Sequence, residues 1–458
     1  MSCSAERPPK STSRRRRSDI RGNVPRVKFG AGEIAAATGG RLDGPDVAVD
    51  GLATDTRVDL RARLFVPLVA DRDGHDFIDE ALAGGAAAYL TARPPRGGTA
   101  VVVDDTLRAL TDIGRLARTR LPDRVVGITG SVGKTSVKDL LAAALATTFS
   151  TVASERSFNN EIGVPLTLAN AADDAEVAVV EMGARGIGHI ALLCSIASPT
   201  IGVVTAVGHV HTELFGTIDD VARGKGELVE SLPLSGYAVL NADDERVVAM
   251  RSRTGARVLT YGVAGEVGSD GIELDGDLRP SFRLRSPWGG ADVHLAVRGD
   301  HQVSNALAAA AAALALGVTP EAVATGLAAA SLSPWRMDLR RTSSGALVLN
   351  DAYNANPISM AAALRSLARL GTARRVAVLG TMAELGSVAD AEHVTVAALA
   401  RELDIEVVAF REPRYGAPTV DDVGAAVVAL GPLREGDAVL VKGSRVAGLE
   451  GLAELLLA

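Results

Sequence analysis

The sequence predicts an α/β protein with three domains: a small mixed α/β domain, a central domain built on a parallel sheet, and a C-terminal Rossmann-like domain. Apolar, strand-like runs alternate with helical stretches from about residue 122, which is the pattern of a parallel sheet with helical connections. The alternation starts again after Pro334, which indicates a separate unit. With 458 residues the chain is long enough to form more than one hydrophobic core. We therefore expect a disordered tail over 1–27 and domains over 28–121, 122–333 and 334–458.

Composition and charge exclude several classes of protein. Apolar residues make up 47% of the chain and charged residues 22%, ordinary values for a globular protein. No apolar run reaches the roughly 18 residues of a membrane span, and the net charge of −7 gives no general reason to bind nucleic acid. Cys3 and Cys194 are too few for a disulfide framework, so a reducing cytoplasm is expected. The four arginines at 14–17 could contact RNA or anionic lipid, but a solvated leader is the more ordinary interpretation.

The first folded segment mixes short strands and helices. We expect strands at 64–68 and 86–90, with a short helix between them at 77–83. Two polar clusters stand out: residues 54–57 read Thr-Asp-Thr-Arg, and residues 73–77 read Asp-Gly-His-Asp-Phe. Taken alone, each cluster is more typical of a solvated loop than of a binding site.

A phosphate-binding loop is predicted at residues 124–136, which read Arg-Val-Val-Gly-Ile-Thr-Gly-Ser-Val-Gly-Lys-Thr-Ser. An apolar run ends in a glycine-rich turn, and the turn opens a helix with apolar residues at three- and four-residue spacing. Such a turn aims backbone N–H groups at one point at a helix N-terminus, which suits a polyphosphate. Lys134 would reach the β- and γ-phosphates, and the Thr135 hydroxyl would hold Mg²⁺. Ile128 stands where the strict Walker pattern has glycine, which counts against an ordinary P-loop NTPase.

Two further strands place ionisable groups beside this loop. The strand at 177–180 ends at Glu181, and the strand at 201–205 is followed by His211. Because the carboxyl ends of parallel strands share one edge of the sheet, we expect both side chains near the phosphates. There they could bind a second divalent ion, although a histidine in a loop is more often not a ligand.

The remaining pattern completes the fold. A helix at 221–230 carries Lys225 among other charges, which would ordinarily form a solvated face. A hairpin with strands at 282–285 and 293–298 and an alanine-rich helix at 305–318 follow. The third domain should contain strands near 347–350, 376–379, 406–409 and 438–441. No G-x-G-x-x-G motif follows the first of these strands, so a dinucleotide site is not supported.

From about residue 28 to the C-terminus, the sequence resembles the ATP-dependent Mur ligases of peptidoglycan synthesis. The loop at 129–135 is similar to the loop of all Mur ligases and of folylpolyglutamate synthases. Two segments are more specific: 157–167, Ser-Phe-Asn-Asn-Glu-Ile-Gly-Val-Pro-Leu-Thr, and 351–357, Asp-Ala-Tyr-Asn-Ala-Asn-Pro. They resemble the members of the family that add D-alanyl-D-alanine, and residues 73–77 support the same resemblance.

The resemblance implies an ADP-forming ligase. ATP would phosphorylate the terminal carboxylate of UDP-N-acetylmuramoyl-tripeptide, and the amine of D-alanyl-D-alanine would attack the acyl phosphate through a tetrahedral intermediate. Two anions meet in the first step, so positive charge is needed between them, and ATP with Mg²⁺ is the expected cofactor set. A monomer in the cytoplasm, with no nucleic-acid partner and no transmembrane segment, is expected.

The resemblance also implies roles for individual residues. Lys225 matches the family's carbamylated lysine, in which CO₂ converts an ammonium into an anionic oxygen group. The implied catalytic residues are Lys134, Glu181, His211 and Lys225. The implied metal ligands are Thr135, Glu181, His211 and Lys225 as its carbamate. The implied ATP contacts are Gly130, Ser131, Val132, Gly133, Lys134, Thr135, Ser136, His301, Asn305, Arg336, Asp351 and Asn354. The implied substrate contacts are Thr54, Asp55 and Arg57 at the UDP end, with Asn159 and Asn160 at the peptide end.

Three residues depart from the family pattern. Val132 stands where the loop commonly has an amide or small polar residue, Gln302 where asparagine is usual, and Thr381 where aspartate is usual. The longer amide of Gln302 could keep an adenine contact with a shifted geometry. Thr381 removes a charge, which puts any electrostatic role there in doubt.

Three alternatives stay open. The enzyme that adds the third amino acid carries an Asp-Asn-Pro-Arg signature, which is absent from this chain. A folylpolyglutamate synthase is disfavoured by the matches in the N-terminal domain. A catalytically silent nucleotide-binding scaffold is disfavoured because Lys134, Glu181, His211 and Lys225 are all present.

Overall fold

The structure is a computed structural model of the chain, and it describes residue 26 and residues 28–155, 157–209 and 215–458. Apart from Arg26, the expected tail lies outside the described residues, and so does His211. Arg26 forms an isolated bridge with Ala172. Within the described part of the chain, no helix combines the length and the apolar character needed to cross a membrane.

The N-terminal unit is the predicted mixture of short strands and helices. Its strands are β1 (Lys28–Gly30), β2 (Arg41–Asp43), β3 (Ala48–Asp50), β4 (Leu52–Ala53), β5 (Leu64–Phe65), β6 (Ala88–Thr91) and β7 (Ala100–Val102). Its helices are α1 (Ala31–Thr38), α2 (Ile78–Ala83) and α3 (Thr106–Arg118). β1 pairs with β3, and the larger sheet has the order β2-β7-β6-β5-β4. The strand predicted at 64–68 ends at Phe65, shortly before Pro67, which has no N–H to continue a ladder.

The N-terminal unit shares its hydrophobic core with the central unit. Ile113 on α3 belongs to the same buried cluster as Leu168 and Ile196, which lie on helices of the central unit. The predicted domain limit at 121 therefore falls within a region of continuous packing and stays a prediction.

The central unit is organised around a six-stranded parallel sheet of order β13-β12-β11-β8-β10-β9. Its strands are β8 (Val125–Thr129), β9 (Thr151–Ala153), β10 (Val177–Glu181), β11 (Ile201–Val204), β12 (Tyr237–Asn241) and β13 (Arg257–Tyr261). The helices around it are α4 (Lys134–Leu145), α5 (Gly163–Ala169), α6 (His189–Ala197), α7 (Ile218–Glu230) and α8 (Glu245–Ala249). A short 3-10 helix, Met250–Arg253, follows α8.

A small antiparallel sheet and two helices cover this sheet. They are β14 (Gly268–Leu274), β15 (Pro280–Ser286), β16 (Gly289–His294), α9 (His301–Ala315) and α10 (Pro320–Ala329). The predicted hairpin is confirmed as β15 and β16, but its second strand lies earlier than 293–298. β14 was not predicted, because most of its residues are exposed and it lacks apolar alternation.

Helix α4, which follows the glycine-rich turn, packs very closely against α9 and α10. The residues Ala308 to Ala313 on α9 are fully buried, and α9 contacts α4 closely. On α10, a Cβ added at Gly326 would lie only 2.4 Å from the Ala143 carbonyl oxygen. Glycine is therefore required where α10 crosses α4.

The C-terminal unit has the Rossmann-like alternation that the sequence predicts. Its strands are β17 (Asp338–Arg341), β18 (Leu347–Asn350), β19 (Arg374–Leu379), β20 (Glu406–Phe410), β21 (Thr419–Val420) and β22 (Asp437–Lys442). Its helices are α11 (Pro357–Arg369), α12 (Ala389–Glu402), α13 (Val423–Leu430) and α14 (Glu450–Leu457). The sheet has the order β17-β18-β22-β19-β20-β21, and only β17 among these described strands runs antiparallel to its neighbour. All four predicted strands are present.

Candidate active site

A cavity of about 620 Å³ lies between the central and C-terminal units. It opens at the carboxyl ends of the central strands, the position in which α/β sheets bind ligands. The structure brings most of the expected site residues to its wall: Ser131, Val132, Gly133, Lys134, Thr135, Ser136, Asn159, Asn160, Glu181, Lys225, His301, Asn305, Arg336, Asp351 and Asn354. Gly130 lies on the same loop, between β8 and α4.

The glycine-rich turn holds Lys134 at the floor of this cavity. Gly133 has a φ of 86°, a conformation that favours glycine, and α4 begins at the next residue. Lys134 Nζ donates a hydrogen bond of 2.7 Å to the Gly130 carbonyl oxygen. Burial lowers the pKa of Lys134, an effect that the Glu181 carboxylate opposes and the Arg336 guanidinium reinforces. A phosphate group would favour the charged lysine, since it adds negative charge beside it.

Glu181, the last residue of β10, offers a carboxylate oxygen to the cavity. Its Oε1 accepts a hydrogen bond of 2.8 Å from Asn159 Nδ2. Its Oε2 is buried and has no hydrogen-bond partner among the described residues. A buried, unpartnered carboxylate oxygen is costly unless a cation or donor occupies the space beside it. Asn159, expected at the peptide end of the substrate, thus contacts the proposed metal ligand in this structure.

Lys225 on α7 does not lie on a solvated face. Its side chain is 2% exposed and lines the cavity. Neither a hydrogen bond nor an ion pair connects it to any described residue, and burial, with a smaller effect of the Lys134 charge, holds its pKa well below its ordinary value. The interpretation of Lys225 as part of a solvated charged face is therefore wrong. A lowered pKa increases the fraction of the amine that is neutral, and the neutral amine is the form that can react with an electrophile such as CO₂.

The C-terminal unit contributes a second group of charges. Arg336 Nη2 donates a hydrogen bond of 2.9 Å to Thr135 Oγ1, so it reaches across the junction to the phosphate loop. Lys442, at the end of β22, is buried and contacts Asp351 Oδ2 at 2.5 Å and the Asn354 carbonyl oxygen at 3.0 Å. Lys442 directly follows the strand expected near 438–441, but it was not among the expected site residues. Its position at the carboxyl edge of a parallel sheet was the signal that could have identified it.

The expected adenine contacts form one hydrogen-bonded row. Asn305 Nδ2 donates to Gln302 Oε1 at 2.9 Å, and Gln302 Nε2 lies 3.2 Å from His301 Nε2. Burial lowers the pKa of His301, against the opposing effect of Asp351 and Asp300, so the ring is neutral near pH 7. Gln302, the departure from the family pattern, is thus part of the row.

The expected UDP contacts do not line this cavity. Asp55 and Arg57 form an ion pair with an N–O distance of 2.5 Å on an exposed loop. Hydrogen bonds from Arg57 lower the pKa of Asp55 to about 2. In the second polar cluster, His75 is buried, and its two ring nitrogens contact Asp73 and the Ala92 N–H. The interpretation of residues 73–77 as a solvated loop is therefore wrong for His75.

Several further residues line the cavity without having been predicted as site residues. They include Ser157, Arg185, Glu384 and Arg445. Arg445 lies over the Trp335 ring at 4.4 Å from its centroid. No motif marks these residues as a group, because they come from four segments that are distant in the sequence.

The side chains at the cavity wall show whether a metal ion could be held there. Across 28–155, 157–209 and 215–458, no three His, Cys, Asp or Glu side chains cluster closely enough to hold a metal ion. Glu181 Oε2 is nevertheless a buried oxygen that no described residue contacts by a hydrogen bond, and Thr135 also lines the cavity. Mg²⁺ is usually held by one or two protein oxygens together with substrate phosphates, so these residues fit such an ion.

Two family models match the chain. The model described as Mur ligase middle domain matches residues 128–313, and the model described as Mur ligase, glutamate ligase domain, matches residues 335–445. The UDP-N-acetylmuramoyl-tripeptide--D-alanyl-D-alanine ligase of Mycobacterium tuberculosis is 40% identical, over 86% of this chain and 89% of that protein. The protein of the same name from Escherichia coli is 36% identical, over 91% and 96%.

The chain belongs to the Mur ligase family. Solved Mur ligases agree with this assignment: MurF from Acinetobacter baumannii superimposes with a TM-score of 0.86 at 29% identity, covering 95% of this chain and all of that chain. MurF ligase from Thermotoga maritima, solved in complex with ADP, gives a TM-score of 0.79 at 28% identity, covering 89% and 96%. The three-unit α/β fold predicted from the sequence is therefore that of a Mur ligase.

Proposed function

We propose that this Mur ligase joins D-alanyl-D-alanine to UDP-N-acetylmuramoyl-tripeptide and converts ATP to ADP and phosphate. The observation that carries the proposal is the cavity itself, where a phosphate loop faces charged groups of the C-terminal unit beside Glu181 Oε2 and Lys225, neither of which has a partner among the described residues. The names of the M. tuberculosis and E. coli relatives support the choice of substrates. A monomeric, cytoplasmic enzyme is part of the proposal.

In the first half-reaction the tripeptide carboxylate attacks the γ-phosphorus of ATP, a P–O bond to ADP breaks, and an acyl phosphate forms. Lys134 and the N–H groups at the start of α4 bind the phosphates. Arg336 already contacts Thr135, so its guanidinium is placed to share the negative charge of the transferred group. The buried positive charges let two anions approach each other.

Mg²⁺, when bound, would neutralise phosphate charge and so make the phosphorus easier to attack. Thr135 and Glu181 are the described residues that would hold it, together with a carbamate on Lys225. The carbamate forms when the neutral amine attacks CO₂: one N–C bond is made and one proton is released.

In the second half-reaction the amine of D-alanyl-D-alanine attacks the acyl carbon. The C–O bond to phosphate then breaks, and an amide, phosphate and a proton result. The cavity lies between two units, and exclusion of bulk water from it would protect the acyl phosphate from hydrolysis. Arg336 and Asp351 lie beyond the junction near residue 334, so closure of the units would complete the site.

The decisive experiment measures phosphate release and product mass with ATP, Mg²⁺ and UDP-N-acetylmuramoyl-tripeptide. We expect release that needs D-alanyl-D-alanine, yields the pentapeptide mass, is not supported by L-alanyl-L-alanine, and is lost in Lys134→Ala. A different amine donor that restores release would identify another Mur-type ligase. No release with any donor, despite intact ATP binding, would indicate a silent scaffold.

A further inference from the structure

Helix α7 carries an unusual local sequence around Lys225. Gly224 and Gly226 flank the lysine in the middle of the helix, where glycine is less favourable than alanine. A Cβ at Gly224 would lie 2.7 Å from Phe215 Cε1, and a Cβ at Gly226 would lie 2.0 Å from Arg253 Nη1. The two glycines therefore admit side chains from neighbouring segments against the helix backbone.

Arg253 uses the space at Gly226 to bind the backbone of α7. It is the last residue of the 3-10 helix Met250–Arg253. Its Nη1 donates to the Ala222 carbonyl oxygen at 3.2 Å and its Nη2 to the Arg223 carbonyl oxygen at 2.8 Å. In an α-helix these carbonyls also accept the N–H groups of Gly226 and of Glu227. The guanidinium thus contacts the turn that contains Lys225.

Glu227 connects the same turn to α6. Its Oε1 accepts the Gly188 N–H at 2.5 Å and its Oε2 accepts the Ala191 N–H at 2.9 Å, at the N-terminus of α6. A carboxylate is favoured there by the unpaired N–H groups and the helix dipole. Arg253 and Glu227 therefore hold α7 by two independent contacts.

The rotation of α7 matters because Lys225 is long. A lysine nitrogen lies roughly 8 Å from its helix axis, so a rotation of about 10° would move it by more than about 1 Å. An error of 1 Å in the placement of a reacting or charged group can cost about 100-fold in rate. Lys225 has no partner among the described residues that could correct such a displacement.

We propose that Arg253 is a positioning residue that sets the rotation of α7 and so keeps Lys225 Nζ in the cavity. The inference rests on the proposed function, in which Lys225 acts as a carbamate. Arg253 itself does not line the cavity, so its effect is transmitted through its contacts with α7, which are the Ala222 and Arg223 carbonyls and the Glu230 carboxylate, 2.8 Å from Arg253 Nε.

The test compares Arg253→Ala with Arg253→Lys and with the control Arg251→Ala. Arg251 lies on the same 3-10 helix, is exposed, and has no hydrogen-bond or ion-pair partner among the described residues. We expect Arg253→Ala to lower kcat about 10- to 100-fold with KM for ATP changed less than about twofold, because the phosphate loop lies on other elements. Arg253→Lys should recover part of kcat, and Arg251→Ala should match the wild type.

A second readout does not depend on turnover. With ¹³C-bicarbonate, the carbamate carbon gives an NMR signal that Lys225→Ala abolishes and thereby assigns. We expect this signal to shift or weaken in Arg253→Ala and to persist in Arg251→Ala. A wild-type protein that shows the signal but forms no product would contradict the proposed function and would leave the effect of Arg253 measurable.

Gly226→Ala provides a test that keeps Arg253 in the chain. The added methyl group displaces the guanidinium, so we expect the same loss of kcat as in Arg253→Ala. In the double variant the methyl group meets no guanidinium, and the loss should be no larger than in Arg253→Ala alone. Additive losses, or a wild-type kcat and carbamate signal in Arg253→Ala, would overturn the inference. The inference would also be overturned if kcat and the carbamate signal of Arg253→Ala fell only in proportion to the fraction of protein that is folded.

Discussion

The two sides of the cavity treat a buried lysine in opposite ways. On the central side Lys225 is 2% exposed and has no polar partner among the described residues, and its pKa is lowered. On the C-terminal side Lys442 is 1% exposed and contacts a carboxylate and two backbone carbonyl oxygens. Lys442 is therefore a structural group that fixes the loop after β18. Lys225 is held at a free-energy cost that a bound group must offset.

The difference shows how burial alone fails to identify a functional residue. Both lysines end at the same cavity, and both are equally hidden from bulk water. The two lysines differ in their hydrogen bonds. A buried polar group that has hydrogen-bond partners stabilises the fold, whereas a buried polar group without partners destabilises it. Lys225, which has no hydrogen-bond partner among the described residues, is therefore the better candidate for a role in the reaction.

The largest effect is expected from Lys225→Met. Ligase activity should fall by about 10³-fold or more, since a charged group of the reaction site is lost. The free energy of unfolding should stay the same or rise, because a buried amine with no partner in the described part of the chain is replaced by an apolar chain of similar length. Product formation and urea unfolding measure the two quantities on one preparation. A loss of stability together with activity would show that Lys225 has a structural partner.

In contrast to Lys225→Met, the substitution Lys442→Met should lower the free energy of unfolding. It leaves the Asp351 carboxylate without its cation, and removing one partner of a buried ion pair costs about 3 kcal/mol. Urea unfolding of Lys442→Met, Asp351→Asn and the double variant forms a mutant cycle in which the double variant should lose less than the sum. An unchanged unfolding midpoint in Lys442→Met would remove the contrast between the two lysines.

A smaller effect is expected in the pH dependence of stability without ATP or CO₂. Lys225 has a lowered pKa in the folded protein, so between that lowered pKa and its ordinary pKa of about 10.4 the unfolded chain binds up to one proton more than the folded chain. Stability should therefore rise with pH, and this group should contribute at most about 1.4 kcal/mol per pH unit. Urea unfolding at pH 7, 8 and 9 should show a shallower slope in Lys225→Met than in the wild type. Parallel slopes would mean that Lys225 is charged when folded.

Local sequence patterns predicted the elements that carry the site. The glycine-rich turn, the strand that ends at Glu181 and the four C-terminal strands follow from apolar runs and turn residues. The exposed, polar strand β14 was missed because it has no such run. The family resemblance, and not periodicity, identified Lys225, since the charges of α7 suggested a solvated helix.

Contacts between distant segments were not predictable. Lys442 and Asp351 are 91 residues apart, and Arg336 lies 201 residues from Thr135. No spacing rule connects such pairs, because their meeting depends on how two sheets are placed. Arg253 is a similar case: a glycine inside a helix signals a close approach, but not the residue that approaches.

The close packing of α4 against α9 and α10 has a consequence for how the site tolerates change. Backbones that touch through methyl groups and hydrogen atoms leave no side-chain rotamers to rearrange, so a larger residue at Ala310 or at Gly326 must push whole helices apart. Lys134 at the start of α4 would move with its helix. Substitutions on the exposed face of β14 are therefore expected to be tolerated. Substitutions where α4 packs against its neighbouring helices are expected to be harmful, because even one added methylene would displace α4 and with it the phosphate-binding loop.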